Sequence, residues 1–192
     1  RPKLSLSSLS GFGYFRSDWG STSAGNQPRT ISVNQSTTTT YSGRIIENNT
    51  TTRQIGLEKS GTGTLILNPG GGASGNAFTG GTTIEDGTVE MERADALGSA
   101  TSGSTDVTVR DGTLDLSFDG TGGAYASATT HFTALFGTLT LGGVAGATPT
   151  VLTSGTVGSG AALGIFNSIV YDAANDPGAA TIPGRFITVG TS

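Results

Sequence analysis

Between Gly61 and Met91 the chain runs three times from Gly-Thr into a short apolar alternation, as GTGTLIL, GGTTIE and GTVEM. A glycine enters the positive-φ corner conformations at low steric cost. Threonine and the branched aliphatics suit the pleated faces between corners. Strand starts fall at Thr64, Thr82, Thr88, Asp106, Thr113 and Thr138, so long steps alternate with short ones. A hairpin meander does not alternate in this way. A coil that returns to the same side every ~18 to ~25 residues does, and that is the repeat length of a β-solenoid. One inward side chain per strand then stacks on its equivalent in the next coil. No coil can bury that row alone.

The rest of the chain supports one such domain over residues 1–192. Only 34% of residues are hydrophobic and 12% charged, while glycine alone supplies 32. That balance suits many short strands and tight turns rather than polar disorder rich in Glu, Lys and Pro. Period-two alternation recurs at Val107 and Val109, Leu114 and Leu116, Leu139 and Leu141, and Ile187 and Val189. The best helical candidates are short, Met91–Leu97 and Ala124–Phe136, so little or no helix is expected. Coils are expected over residues 30–157, with the strongest repeat at 57–99. Residues 1–29 read as an N-terminal strand with an aromatic cap or joint, and residues 158–192 as a C-terminal cap or joint.

Charge and composition remove several functions. Ten basic residues scattered through a chain of net charge −4 make no surface that tracks phosphates, so nucleic acid is not an expected partner. With no cysteine there is neither a disulfide nor a thiolate metal site. No apolar run reaches the roughly 20 residues of a membrane span, and no signal peptide opens at Arg1. An exported form is expected to have lost its signal before this numbering begins.

From Leu57 to Ser99 the likeness becomes specific. Leu57, Lys59, Gly61, Gly63, Leu65 and Leu67 are followed by Asn76, Phe78, Thr79, Gly80, Gly81, Thr82, Ile84 and Gly87, with Val89 in a leucine place, and then Ala96-Leu97-Gly98. The stretch resembles the autotransporter-associated β-strand repeat, also called the passenger-associated transport repeat. Tyr41-Ser42-Gly43 and Ile46 resemble the upstream part of such passengers. The resemblance implies a right-handed parallel β-helix with atypical terminal coils, secreted or on a bacterial cell surface. It brings no catalytic residue and no cofactor. The Gly-rich Asn68–Asn76 is longer than the usual link and is expected to bulge as a loop. The residues after Ser117 are too few for a translocator barrel, which points to a passenger fragment or a free protein built from the same repeat.

Residue types with chemical potential mostly read as structure. His131 is the only histidine and has no neighbouring carboxylate for a triad. Glu85, Asp86, Glu90, Glu92 and Asp95 lack the calcium-binding repeat pattern and read as solvated face residues. Asp106, Asp111, Asp115 and Asp119 near Arg110 are what a β-helix enzyme acting on acidic sugars would use. One arginine is a poor match for that chemistry, and Asp111-Gly112 reads as a corner. A threonine face of the ice-binding kind needs strict register, which coils of varying length would break. The PGGGASG run lacks the Lys-Ser/Thr of a phosphate loop. Asn34, Asn48 and Asn49 open glycosylation signals.

The expected function is therefore structural and non-enzymatic. Both ends of the chain finish on apolar strands beside aromatic residues: Leu4, Leu6, Leu9, Phe12, Tyr14, Phe15 and Trp19 at one end, Phe186, Ile187 and Val189 at the other. Either strand could add to a neighbour's edge, and repetition would give a head-to-tail filament whose partner is a second copy of the chain. A monomeric passenger or adhesin that displays Asn68–Asn76 to a surface glycan or host ligand is the alternative. A polysaccharide-processing enzyme is the weaker one.

Overall fold

The computed structural model describes residues 3–16, 29–47, 54–70, 75–93, 95–98, 105–117, 136–152 and 166–172. The first pass of the chain gives β1 (Lys3–Leu6) and β2 (Tyr14–Arg16); the second gives β3 (Arg29–Asn34), β4 (Thr39–Tyr41) and β5 (Arg44–Ile46). The third gives β6 (Ile55–Ser60) and β7 (Thr64–Leu67), the fourth β8 (Thr82–Ile84) and β9 (Gly87–Met91). Then come β10 (Val107–Val109) with β11 (Gly112–Leu116), β12 (Phe136–Gly142) with β13 (Thr150–Leu152), and β14 (Phe166–Asp172).

Every pairing is parallel, and strands of successive passes are hydrogen-bonded neighbours. One sheet runs β1-β3-β6-β8-β10-β12-β14, a second β4-β7-β9-β11-β13, and a short third pairs β2 with β5. An isolated bridge from Gly11 to Tyr41 carries the second sheet back to the first coil, and one from Ile46 to Ala77 carries the third sheet forward. The fold is a parallel β-solenoid. No helix occurs among the described residues, and the candidate Met91–Leu97 is the end of β9 followed by a turn in which Ala96 N–H donates to the Arg93 carbonyl at 3.1 Å. Most of Ala124–Phe136 lies outside the described residues.

The register explains the uneven spacing. Leu57 pairs with Thr82 and Thr82 with Val107 on the first sheet, while Leu65 pairs with Val89 and Val89 with Leu114 on the second, at a nearly constant step along the chain. The long and short steps in the sequence are the two parts of one turn: a tight corner between the large sheets and a longer arc back. Alternation along each strand then builds the core. Ile31, Leu57, Thr82, Val107 and Leu139 form one inward column, and Leu65, Val89 and Leu114 face them from the second sheet, all buried.

The Gly-Thr units stack as well. Thr64, Thr88, Thr113 and Thr150 are in register as one outward column. Beside them stand Ile66, Glu90, Asp115 and Leu152, so on this sheet the register, which the varying coil lengths do not break, builds one hydroxyl row and not a flat threonine face; Thr83, Thr108 and Thr140 align likewise on the first sheet. At the corner, Gly87 has φ +70°, and a Cβ there would run into the Gly61 and Gly63 carbonyls and come within 2.7 Å of Lys59 Nζ.

Candidate functional site

Two features remain once the apolar columns are placed: a set of buried polar side chains, and the open end of the core at the first coil. The polar set limits what chemistry the interior can perform. A parallel stack leaves backbone groups unpaired wherever it turns a corner, and a buried unpaired group costs about 1–3 kcal/mol. Four side chains meet that need. Gln35 Nε2 donates to the Thr64 carbonyl at 2.7 Å and the Thr37 carbonyl at 3.1 Å, and its Oε1 accepts from Leu9 N–H and the Thr39 hydroxyl. Glu47 accepts from the backbone N–H groups of Ile55 and Thr79 and from the Thr79 hydroxyl. Asn76 accepts from Ile45 N–H at 2.8 Å and donates to the Ala96 carbonyl at 2.6 Å, so one amide ties three passes of the third side.

Lys59 is the fourth and the least expected. It shares inward parity with Leu57 and lies in register between Val33 and Ile84, with no exposed surface. Its ammonium turns along the corner and donates to the carbonyls of Ser60 at 2.8 Å and Gly61 at 2.6 Å, with Asp86 O at 3.4 Å. Burial lowers its pKa below the usual lysine value, and the nearby Asp86 charge opposes that shift. Lysine, glutamate, asparagine and glutamine here hold backbone between coils. They do not converge on a cavity.

The surface carboxylates behave alike. Asp106 accepts from Thr138 N–H at 2.7 Å and Asp111 from Thr148 N–H at 3.0 Å, each gripping the next coil. Arg110 faces Glu85 at 3.6 Å, and Asp115 pairs with Glu90 on the second sheet. The structure thus puts Asp106 and Asp115 on different faces, and Asp119 and His131 lie outside the described residues. Among the described residues no three acidic or histidine side chains gather as a metal site. Arg93 and Asp95 pair at 3.0 Å, and that hydrogen bond raises the arginine's pKa. The ends of the Gly-rich segment stay in the stack, where Asn68 N–H donates to Tyr41 O and Gly70 N–H to Ser42 O. Residues 71–74 lie outside the described residues.

At the first coil the residues expected to form a cap or joint divide into two groups. Leu9 is buried, Leu6 and Phe15 pack against the core, and the Phe15 ring lies 5.9 Å from that of Tyr41. Tyr41 donates to the Gly13 carbonyl at 3.1 Å, which ties the first coil to the second, and burial pushes its phenol up to about 12 against an opposing backbone hydrogen bond at Phe15. Its ring end fills the place where a Gly43 side chain would stand. Phe12 and Tyr14 are exposed, at 90% and 67%. Leu4 is 48% exposed although it pairs with buried Ile31 in the inward column. It is exposed because β1 is the first strand of its sheet and no described strand lies beyond it. A cavity of about 390 Å³ opens there, lined by Leu4, Phe15, Ile31, Lys3, Arg16 and Arg29 among others. Trp19, Phe186, Ile187 and Val189 lie outside the described residues.

Residues 57–91 match the family model of the passenger-associated-transport-repeat. This segment is similar to a passenger-associated transport repeat. The repeat spans β6 to β9, two rungs of the solenoid and the corner held by Lys59 and Gly87. The match covers about a fifth of the chain, and the repeat it is similar to is a structural one of autotransporter passengers. No helix among the described residues is long and apolar enough to cross a membrane. No curated protein and no solved structure matches the chain.

Sequence reasoning gave none of the four side chains a corner-holding role, although Lys59 and Asn76 were among the residues that carry the repeat resemblance. Lys59 carried a signal, since it has the parity of Leu57 and sits inside an apolar alternation. Glu47 and Gln35 carried none, because their partners lie up to 32 and 29 residues away.

Proposed function

We propose that this chain is a non-enzymatic structural segment of a secreted or surface-held passenger, and that it self-assembles head to tail through its terminal strands. The observation that carries the reading is Leu4. An inward column of buried side chains ends on a leucine that is 48% exposed, on a strand of a parallel sheet with no described strand beyond it. Such an edge presents a row of unpaired N–H and C=O groups that a strand of another molecule can complete. A scaffold role is supported by the interior, where the polar side chains described above hold backbone, and by the repeat match over residues 57–91, a segment in which this chain places corner glycines, stacked aliphatics and the corner lysine Lys59.

The test is sedimentation of the intact chain against Leu4→Asp, with circular dichroism to check the fold. A charge at the open end leaves the later coils untouched, so the variant is expected to fold and stay monomeric where the intact chain forms large species. Monomers from both chains at all concentrations would overturn assembly and leave a monomeric passenger that displays its surface loops.

A further inference from the structure

The third sheet has an outward face of its own. On β2, Phe15 packs against the core, while Tyr14 and Arg16 on either side of it are exposed. On β5, Ile45 is buried and Arg44 and Ile46 flank it. The register sets Tyr14 beside Arg44 and Arg16 beside Ile46. Two residues along a strand are about 6.6 Å apart and neighbouring strands about 4.8 Å, so both arginines share the face of Tyr14 as near neighbours.

Phe12 extends that row, and the backbone around it is tied down. Gly11 N–H donates to the Thr40 carbonyl at 3.0 Å, Ser42 N–H to the Gly11 carbonyl at 2.8 Å and Arg44 N–H to the Gly13 carbonyl at 2.8 Å. Gly11 and Gly13 hold φ of +80° and +142°, and a Cβ on either would meet nothing within 4 Å. The exposed Phe12 ring is thus presented from a bonded ribbon, with open space beside the glycine on each side of it. Charge here is of one sign. The described charged residues of the first two passes are Lys3, Arg16, Arg29, Arg44 and Glu47. Glu47 is the only acid among them, and it is buried against the N–H groups of Ile55 and Thr79. The Arg44 guanidinium is positioned through its Nε, which donates to the Gly75 carbonyl at 2.8 Å.

We propose that Phe12, Tyr14, Arg16 and Arg44 form a binding site for an acidic polysaccharide. The electron-rich face of an aromatic ring attracts weakly positive C–H groups, and a sugar ring presents a face of them. The guanidinium groups donate paired hydrogen bonds to the carboxylates or sulfates that such sugars carry. Aromatic rings already fixed in place lose little freedom when the ligand arrives. A nucleic acid fits less well, because it carries a phosphate at every nucleotide and calls for a run of basic side chains, where this face supplies two. The inference goes beyond the head-to-tail assembly proposed above and does not depend on it.

Isothermal titration calorimetry of the intact chain tests the site with polygalacturonate, heparin, neutral dextran and a thymidine oligonucleotide. Binding to polygalacturonate, to heparin or to both is expected at about 0.05 M salt, and weaker binding at about 0.5 M. Polygalacturonate alone would assign a carboxylate as the anion, heparin alone a sulfate, and both together either group. Phe12→Ala and Tyr14→Ala change exposed side chains and are expected to fold by circular dichroism and to weaken binding about tenfold each. Phe12→Ala decides if Tyr14→Ala does not fold. Arg16→Gln is expected to weaken binding and to flatten its salt dependence. Dextran bound as tightly as the acidic chains, the oligonucleotide bound more tightly than either, or no binding by any probe would overturn the site. Acidic-polysaccharide binding that Phe12→Ala and Tyr14→Ala leave unchanged would overturn it as well.

Discussion

Tyr41 offers a perturbation whose sign changes with pH. The residue is buried in the second coil, its ring packs on Phe15, and its hydroxyl donates to the Gly13 carbonyl at 3.1 Å. Tyr41→Phe keeps the ring and removes the hydrogen bond, at a cost of about 1 kcal/mol at neutral pH. The phenol's pKa is raised from 10.0 to about 12. A raised pKa gives stability that is whole below the unfolded value and is lost as pH climbs through the folded value. At pH 11 the loss is about 1.4 kcal/mol, and near pH 12 about 2 kcal/mol. The variant has no phenol to ionise at this position, while every other titrating group is common to both chains. Urea unfolding followed by circular dichroism should find the intact chain more stable by about 1 kcal/mol at pH 7, equality near pH 11, and the variant ahead at pH 12. A difference independent of pH would refute the burial of Tyr41 and the first-coil packing built on it.

Other consequences are more local. Gly43→Ala sets a methyl against the Tyr41 ring end and the Gly13 carbonyl, and should lower stability by about 1–3 kcal/mol in the same unfolding assay. Lys59 has a folded pKa below its ordinary value, so the native state binds fewer protons in the window below 10.5 and stability should rise with pH there. Lys59→Met should remove that slope in paired pH titrations of unfolding, and it also strips the donors from Ser60 O and Gly61 O. Leu65→Ala, at a fully buried core position, should cost about 2–5 kcal/mol, read from the denaturation midpoint.

Much of this fold is legible residue by residue. Gly87-Thr88 and Gly112-Thr113 announce a corner followed by a strand because glycine takes the positive φ at Gly87 without strain and threonine suits the outer pleat. The long step from Thr64 to Thr82 and the short one on to Thr88 already contain a full turn. Missing from that reading was the identity of the steps as two parts of one coil, since nothing local marks which strand a given strand will pair with. The third side was also hidden: β2, β5 and Ala77 pair about one coil length apart and lack any long apolar run. At the first coil, the apolar set from Leu4 to Phe15 was visible, but its division was not. Parity along β1 puts Leu4 and Leu6 on one face, yet only the absence of a described neighbour beyond β1 exposes Leu4 and leaves Leu6 partly covered. The corner-holding Glu47 and Gln35 were illegible for the same reason, because a polar side chain that satisfies distant backbone has no sequence pattern of its own.

The central claim is that the open apolar first coil makes this solenoid a building unit. Electron microscopy of the purified intact chain tests it most directly. Long filaments of uniform width, replaced by single short rods in Leu4→Asp, are the predicted result. Single short rods from the intact chain across the accessible concentration and salt range would contradict the claim.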